Sequence, residues 1–198
     1  MNKGIDSIAD FEAQYAEWFG KPAEVHELED AKIYVFPPAN GDEDGFWTYI
    51  TSGMSLKKMP LPENVKPDHE AGVLERAEYV FYASEKSQRY IGMLALLVVF
   101  PFVDETFVAR GHTVGLTEPL DDAGVLTAVF LLSSLFSGHR EVFESARVQG
   151  DRVNYLWVVP ISEAERALKV KEGRNALLDL LGQNDNPVVF RGARASCC

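Results

Sequence analysis

Glu75-Arg76-Ala77-Glu78-Tyr79-Val80-Phe81-Tyr82-Ala83-Ser84 is the stretch on which the fold turns. Its residues fall into two alternating sets, Arg76, Glu78, Val80 and Tyr82 against Ala77, Tyr79, Phe81 and Ala83, the period-2 pattern of a strand in a sheet. Upstream, residues 25–36 are rich in β-branched and aromatic types and stop at Pro37-Pro38, so they read as one or two strands. Turn chemistry fills residues 39–45, and Phe46-Trp47-Thr48-Tyr49-Ile50-Thr51 is strand again, which predicts a hairpin that residues 75–84 join. Between them, Pro60, Pro62 and Pro67 make residues 57–72 a surface loop. At the start, Ile8, Phe11, Tyr15, Trp18 and Phe19 recur at helical spacing, and Gly20-Lys21-Pro22 ends the pattern, predicting an amphipathic helix over about 7–20.

Downstream, residues 88–103 form the most apolar segment, too long for a strand and rich in Leu, Met and Ala. They predict a buried helix to about Phe100, where Pro101 limits it. Residues 106–116 read as short strand-like pieces broken by Gly111 and Gly115, and residues 125–133 and 140–148 as further strands. Val148-Gln149-Gly150-Asp151-Arg152-Val153 is a tight turn feeding a strand over 154–160. Ser162-Glu163-Ala164-Glu165 is a capping box that launches a helix to about Glu172; Gly173 ends it, and a second helix over 175–181 stops at Gly182. The tail, 188–198, is strand or loop. With no repeat, low-complexity block or linker, the expectation is one α+β domain over 1–198, a mixed and mostly antiparallel sheet flanked by helices.

Composition narrows the function. The chain of 198 residues is 46% hydrophobic and 11% aromatic, the balance of a folded domain, and carries a formal charge of −11. That charge disfavours nucleic acid and anionic membrane, both of which bind through excess Lys and Arg. It is also uneven: residues 1–45 hold eleven acids and three bases, a net of −8, leaving −3 for the other 153. Such an acidic segment either solubilises the surface or steers a basic partner. The longest uncharged apolar run, 91–103, is well short of the ~20 residues that span a bilayer. The first ten residues lack the pattern of a signal peptide, and a reducing cytoplasm is the expected setting. The two cysteines, Cys197 and Cys198, are neighbours and cannot staple a core; they read as an incidental thiol pair, or as the weak echo of a prenylation signal.

The usual catalytic signatures are missing: no Gly-rich phosphate loop, HExxH, CxxC pair or G-x-S-x-G elbow occurs. His26, His69, His112 and His139 are isolated and show no metal-ligand spacing, so neither metal nor cofactor is expected. In Thr51-Ser52-Gly53-Met54-Ser55 the glycine suits a positive φ or a close backbone approach, as a strand-ending turn or a contact site. In Arg110-Gly111-His112-Thr113 the histidine is a loop-fixing residue or a base. Asp104-Glu105 and Asp121-Asp122 read as solvated acids. Phe46, Trp47, Tyr49, Phe100, Phe102 and Phe107 read as core aromatics, with extension into an interface as the lesser alternative.

Several of these stretches, in order, resemble the suppressor of fused domain family as found in bacteria. They are Phe19-Gly20-Lys21-Pro22, Val25-His26-Glu27-Leu28, Tyr49-Ile50-Thr51-Ser52-Gly53-Met54-Ser55 and Glu75-Arg76-Ala77-Glu78-Tyr79, followed by Gly111-His112-Thr113. Leu156-Trp157-Val158-Val159-Pro160-Ile161-Ser162-Glu163-Ala164-Glu165 and Gly173-Arg174-Asn175-Ala176-Leu177-Leu178-Asp179-Leu180-Leu181 complete the set. Lys57-Lys58 and Arg174-Asn175 depart from the pattern. The resemblance implies an α+β domain that works by binding another protein: the founding animal member restrains a transcription factor, and bacterial relatives are regarded as immunity proteins of polymorphic toxin systems. No catalytic residue set comes with it.

The expectation is therefore a non-enzymatic immunity protein that neutralises a basic toxin domain by binding it. Its contact residues are expected at exposed turns beside strands: Asp42, Glu43, Asp44, Gly53, Met54, Ser55, Gly111, His112 and Thr113. A small-molecule hydrolase using His112 with Asp104 or Glu105, and a structural adaptor, are the alternatives. The oligomeric state stays open.

Overall fold

The computed structural model describes residues 5–38, 45–134, 136–184 and 186–198, with backbone alone at 137, 138, 140 and 141. Asp42, Glu43 and Asp44 lie outside the described residues. The chain runs α1 (Ile8–Phe19), β1 (Glu24–Glu27), β2 (Lys32–Phe36), β3 (Trp47–Ser52), a 3-10 turn (Met54–Leu56), β4 (Ala77–Ala83), α2 (Gln88–Val103), β5 (Thr113–Gly115) and β6 (Ala128–Ser133). It continues through α3 (Ser137–Ser145), β7 (Arg147–Val148), β8 (Asp151–Arg152), β9 (Asn154–Ile161), α4 (Glu163–Glu172) and α5 (Arg174–Gln183).

Seven strands make one mixed sheet in the order β1-β2-β3-β4-β9-β6-β5. All its pairings are antiparallel except β4 with β9, a parallel ladder of four residue pairs from Ala77↔Asn154 to Val80↔Trp157. The alternation in β4 has the meaning the sequence suggested, but both faces are covered. Ala77, Tyr79, Phe81 and Ala83 pack toward α2 with Leu94 and Leu97. Val80 and Tyr82 pack the other way, in the cluster that holds Phe11 and Tyr15 of α1 and Leu177 and Leu181 of α5. Every residue of β4 is buried. The result is an α+β domain in which one sheet lies between helices.

Four local expectations need correction. Residues 140–148 are largely helix, α3, and only Arg147 and Val148 are strand. Val142, Phe143 and Ala146, spaced i, i+1, i+4, put one apolar stripe on the α1 side of the sheet, and both edges of β9 are already taken by β4 and β6. The turn at Gln149 (φ 52°) and Gly150 (φ 88°) is a genuine two-residue hairpin turn, but it joins only β7 to β8. Within 106–116 only Thr113–Gly115 is strand. Finally, α2 runs past Pro101 to Val103. Proline has no N–H for the Leu97 carbonyl four residues back, and the Tyr79 hydroxyl supplies the missing donor at 3.2 Å.

No helix among the described residues is long and apolar enough to cross a membrane.

Candidate protein-interaction site

Arg76 and Glu78 break the apolar pattern of the central strand, and both are buried, at 3% and 0% exposure. An ionised group in such a place needs partners. Glu78 Oε1 accepts from the Ser55 backbone N–H (2.9 Å) and hydroxyl (2.6 Å), and Oε2 accepts from the Thr51 hydroxyl (2.6 Å). Burial pushes this carboxyl up to about 7, against the pull of those bonds and of the Gly53 N–H. The Thr51 hydroxyl in turn accepts from Tyr79 N, and the Thr51 carbonyl accepts from the Tyr15 hydroxyl at 2.7 Å, which tethers α1 to the sheet. Arg76 sends Nη1 to the carbonyls of Ser55 (2.7 Å) and Leu56 (3.0 Å), Nη2 to Gln149 Oε1, and Nε to Asp151 Oδ2.

The segment 51–56 is thus threaded between a carboxylate and a guanidinium that leave the same face of β4. Gly53 lets it bend there: its φ is 101°, and a Cβ would stand 2.6 Å from the Asp30 carbonyl oxygen. Gly53 is thereby set close against Asp30 and Ala31 of the β1–β2 turn, and a groove of about 540 Å3 opens beside the contact. Gly53 and Met54 form its floor. Its wall comes from the last two turns of α2, where Val99 is 49% and Val103 73% exposed beside half-buried Phe102. Glu29, Asp30 and Lys57 are the charged residues of its lining, and Lys57 Nζ lies 4.7 Å from the centre of the Phe102 ring. Exposed valines spaced i, i+4 in the apolar C-terminal half of α2 are an apolar face without an internal partner. The arrangement can seat an apolar side chain and hold a cation at Glu29 and Asp30.

The expected contact residues fall in different settings. Gly53 and Met54 are at the groove floor, whereas Ser55 is wholly buried on Glu78 and is a bracing residue. Gly111 and His112 precede, and Thr113 opens, the edge strand β5, at the opposite end of the strand order from β1. Gly111 has φ 91°, its N–H donates to Leu131 O, and a Cβ would meet Arg174 Cδ at 2.6 Å. The His112 ring packs on Phe107, with centroids 5.0 Å apart. Burial pushes its pKa below the usual value, the Lys169 charge adds to that, and a bond to the Phe107 backbone opposes it. The ionic neighbour of His112 is therefore a lysine, and among the described residues no hydrogen bond joins its ring to Asp104 or Glu105. Asp121 is not solvated as its pairing suggested. It is 2% exposed, and Oδ1 accepts from Val125 N and Leu126 N at 2.9 Å each, closing the loop before β6. Asp122, by contrast, is exposed and paired with Arg89. Among the described residues no three His, Cys, Asp or Glu side chains are grouped to hold a metal.

The sequence signal for the buried pair was there, two charges within an apolar alternation; the signal for the groove was the i, i+4 repeat of valine. The tail carries an ion pair that sequence reasoning missed, Arg194 with the buried Glu165.

The family model described as Suppressor of fused protein (SUFU) matches residues 27–195, and the chain belongs to that family. Among solved structures it is similar to a SUFU homologue from Neisseria gonorrhoeae, at 17% identity over 94% of each chain with a TM-score of 0.66. Drosophila Suppressor of Fused has a TM-score of 0.66 at 12% identity, over 98% of this chain and 51% of that one. A chain of the Sufu–Fu complex has a TM-score of 0.63 at 11% identity, over 98% and 93%. No curated protein matches the sequence.

Proposed function

We propose that this chain is a non-catalytic protein-binding domain, and that as an immunity protein it neutralises a basic toxin domain by covering it. The observation that carries the reading is the groove: two exposed valines and Phe102 facing Gly53 and Met54, with Glu29 and Asp30 in the lining. An apolar seat with acidic residues in its lining suits a partner segment that presents an apolar anchor beside Lys or Arg. The net −8 of residues 1–45, Asp42, Glu43 and Asp44 included, adds long-range attraction for such a partner. A SUFU-fold chain in the Sufu–Fu complex supports a protein as the ligand.

The test takes the reading frames neighbouring this gene, where the proposal expects a large secreted protein with a variable C-terminal domain, and co-expresses that domain with this chain. The wild-type chain restores growth, and Val99→Glu/Val103→Glu, which alters only exposed positions, abolishes rescue while the melting temperature is held. Rescue by that variant equal to wild type, or no rescue by the wild type, overturns the reading. His112→Ala is expected to rescue fully, since its ring fixes a loop on Phe107.

A further inference from the structure

The β4–β9 ladder stops at Val80↔Trp157, although β4 continues to Ala83 and β9 to Ile161. Past that point the two strands part, and the tail fills the opening. Phe190 N donates to Tyr82 O at 2.9 Å, Ser84 N donates to Phe190 O at 2.8 Å, and Ala83↔Phe190 forms a parallel bridge, so the tail continues the sheet where β9 has left it. The Phe190 ring packs against both Phe81 (5.9 Å) and Tyr90 (5.8 Å), whose own rings touch at 5.0 Å. Two residues on, Gly192 has φ 84°, and a Cβ there would lie 2.8 Å from Glu85 Oε1. Two residues further, Arg194 Nη1 and Nη2 reach the Glu165 oxygens at 2.6 and 2.7 Å, and Nη2 also reaches Pro160 O of β9. Glu165 is fully buried, and it completes the seat by accepting from Cys197 N at 2.8 Å.

Each contact reads one feature of an extended peptide. The flank of β4 takes backbone, the Phe81–Tyr90 pair takes an aromatic ring against it, the left-handed backbone at 192 selects glycine, and a buried carboxylate takes a guanidinium in two-point contact. We infer that the opening between β4 and β9 is a peptide-docking seat, that the tail is its resident ligand, and that a partner protein binds here by presenting an extended Phe-x-Gly-x-Arg segment in the tail's place. The occupant is cationic because Glu165 requires it: an uncompensated carboxylate buried there would be costly. The seat abuts the first turns of α2, whereas the groove lies along its last turns, so the two sites are ~20 Å apart along the 16-residue helix. The assignment does not rest on toxin binding.

The resident tail competes at the high effective concentration of a tethered ligand, so an external segment is seen best when the tail is weakened. The experiment uses two full-length variants, Phe190→Ala/Arg194→Ala and the milder Gly192→Ala, which leaves every core side chain in place. A fluorescent synthetic peptide of residues 187–198 is titrated in by anisotropy. The expected result is saturable binding at least tenfold tighter to either variant than to the wild-type chain, and at least tenfold weaker for peptides carrying Gly192→Ala or Arg194→Ala. No binding to Gly192→Ala of native near-UV spectrum, or equal binding of all three peptides, overturns the inference. A concentration-dependent wild-type dimer that dissociates on Arg194→Ala would assign the seat to a second copy of the chain and equally overturn the assignment to a partner. Rescue of growth by the groove variant is a separate readout and moves none of these outcomes.

Discussion

Glu78 holds its proton in the folded chain at a pH where the unfolded chain has lost it, because burial pushes the carboxyl up to about 7 from 4.5. The raised value fixes the sign. Between pH 4.5 and 7 unfolding releases the proton, so stability falls as pH rises through that window, by about 3 kcal/mol at its full extent. Glu78→Gln has no proton to lose. Its melting temperature is therefore expected to gain steadily on wild type between pH 4.5 and 8, and a difference constant with pH would refute the assignment. Gly53 acts by shape instead. Gly53→Ala brings a Cβ to 2.6 Å from Asp30 O at φ 101°, and a loss of ~2–3 kcal/mol in urea unfolding is expected. The sequence made Gly53 legible as a residue suited to a positive φ or a close backbone approach, and set Glu78 in the alternation of a strand without marking it as buried. What it did not reveal is that the one braces the other, since Ser55 and Glu78 meet only after β3 and β4 pair.

The longest helix shows how an element is repaired from outside. Pro101 removes the donor that Leu97 O needs, and Tyr79, on the strand beneath, restores it. Tyr79→Phe strands a buried carbonyl and is expected to cost ~1–2 kcal/mol. Pro101→Ala in the same background, by returning the N–H, should recover part of that loss, and equal stability of single and double variants would argue against the exchange of donors. Sequence alone stopped the helix at Phe100 because proline is a local signal and its compensation is 22 residues away. The same limit explains α3. Its nine residues carry too few apolar positions to separate a period of 3.6 from one of 2, and occupancy of both edges of β9 decides the matter only in the assembled sheet. Long or well-punctuated elements were readable throughout: α1 ending at Gly20, the β2–β3 hairpin, and α4 with its Ser162–Glu165 box, whose two reciprocal bonds are both formed.

At the scale of the whole molecule the charge is an asymmetric field. With −8 in the first 45 residues, association with a basic partner is expected to slow about tenfold or more from low to high salt, while dissociation changes little. Stopped-flow rates at several ionic strengths test this, and an on-rate indifferent to salt would remove the acidic segment from recognition. The fold class was readable because both sheet halves consist of locally patterned strands. The order in which they join was not, since a parallel ladder between residues 77–80 and 154–157 leaves no mark in either stretch. That ladder also sets a schedule for folding. The meander β1-β2-β3-β4 can close on itself as soon as it is synthesised, but its junction to β9 waits for some seventy more residues to emerge. The last gap waits for Phe190 and Arg194. Until those residues leave the ribosome the flank of β4 is an open strand edge, the kind of surface on which nascent chains aggregate and chaperones act.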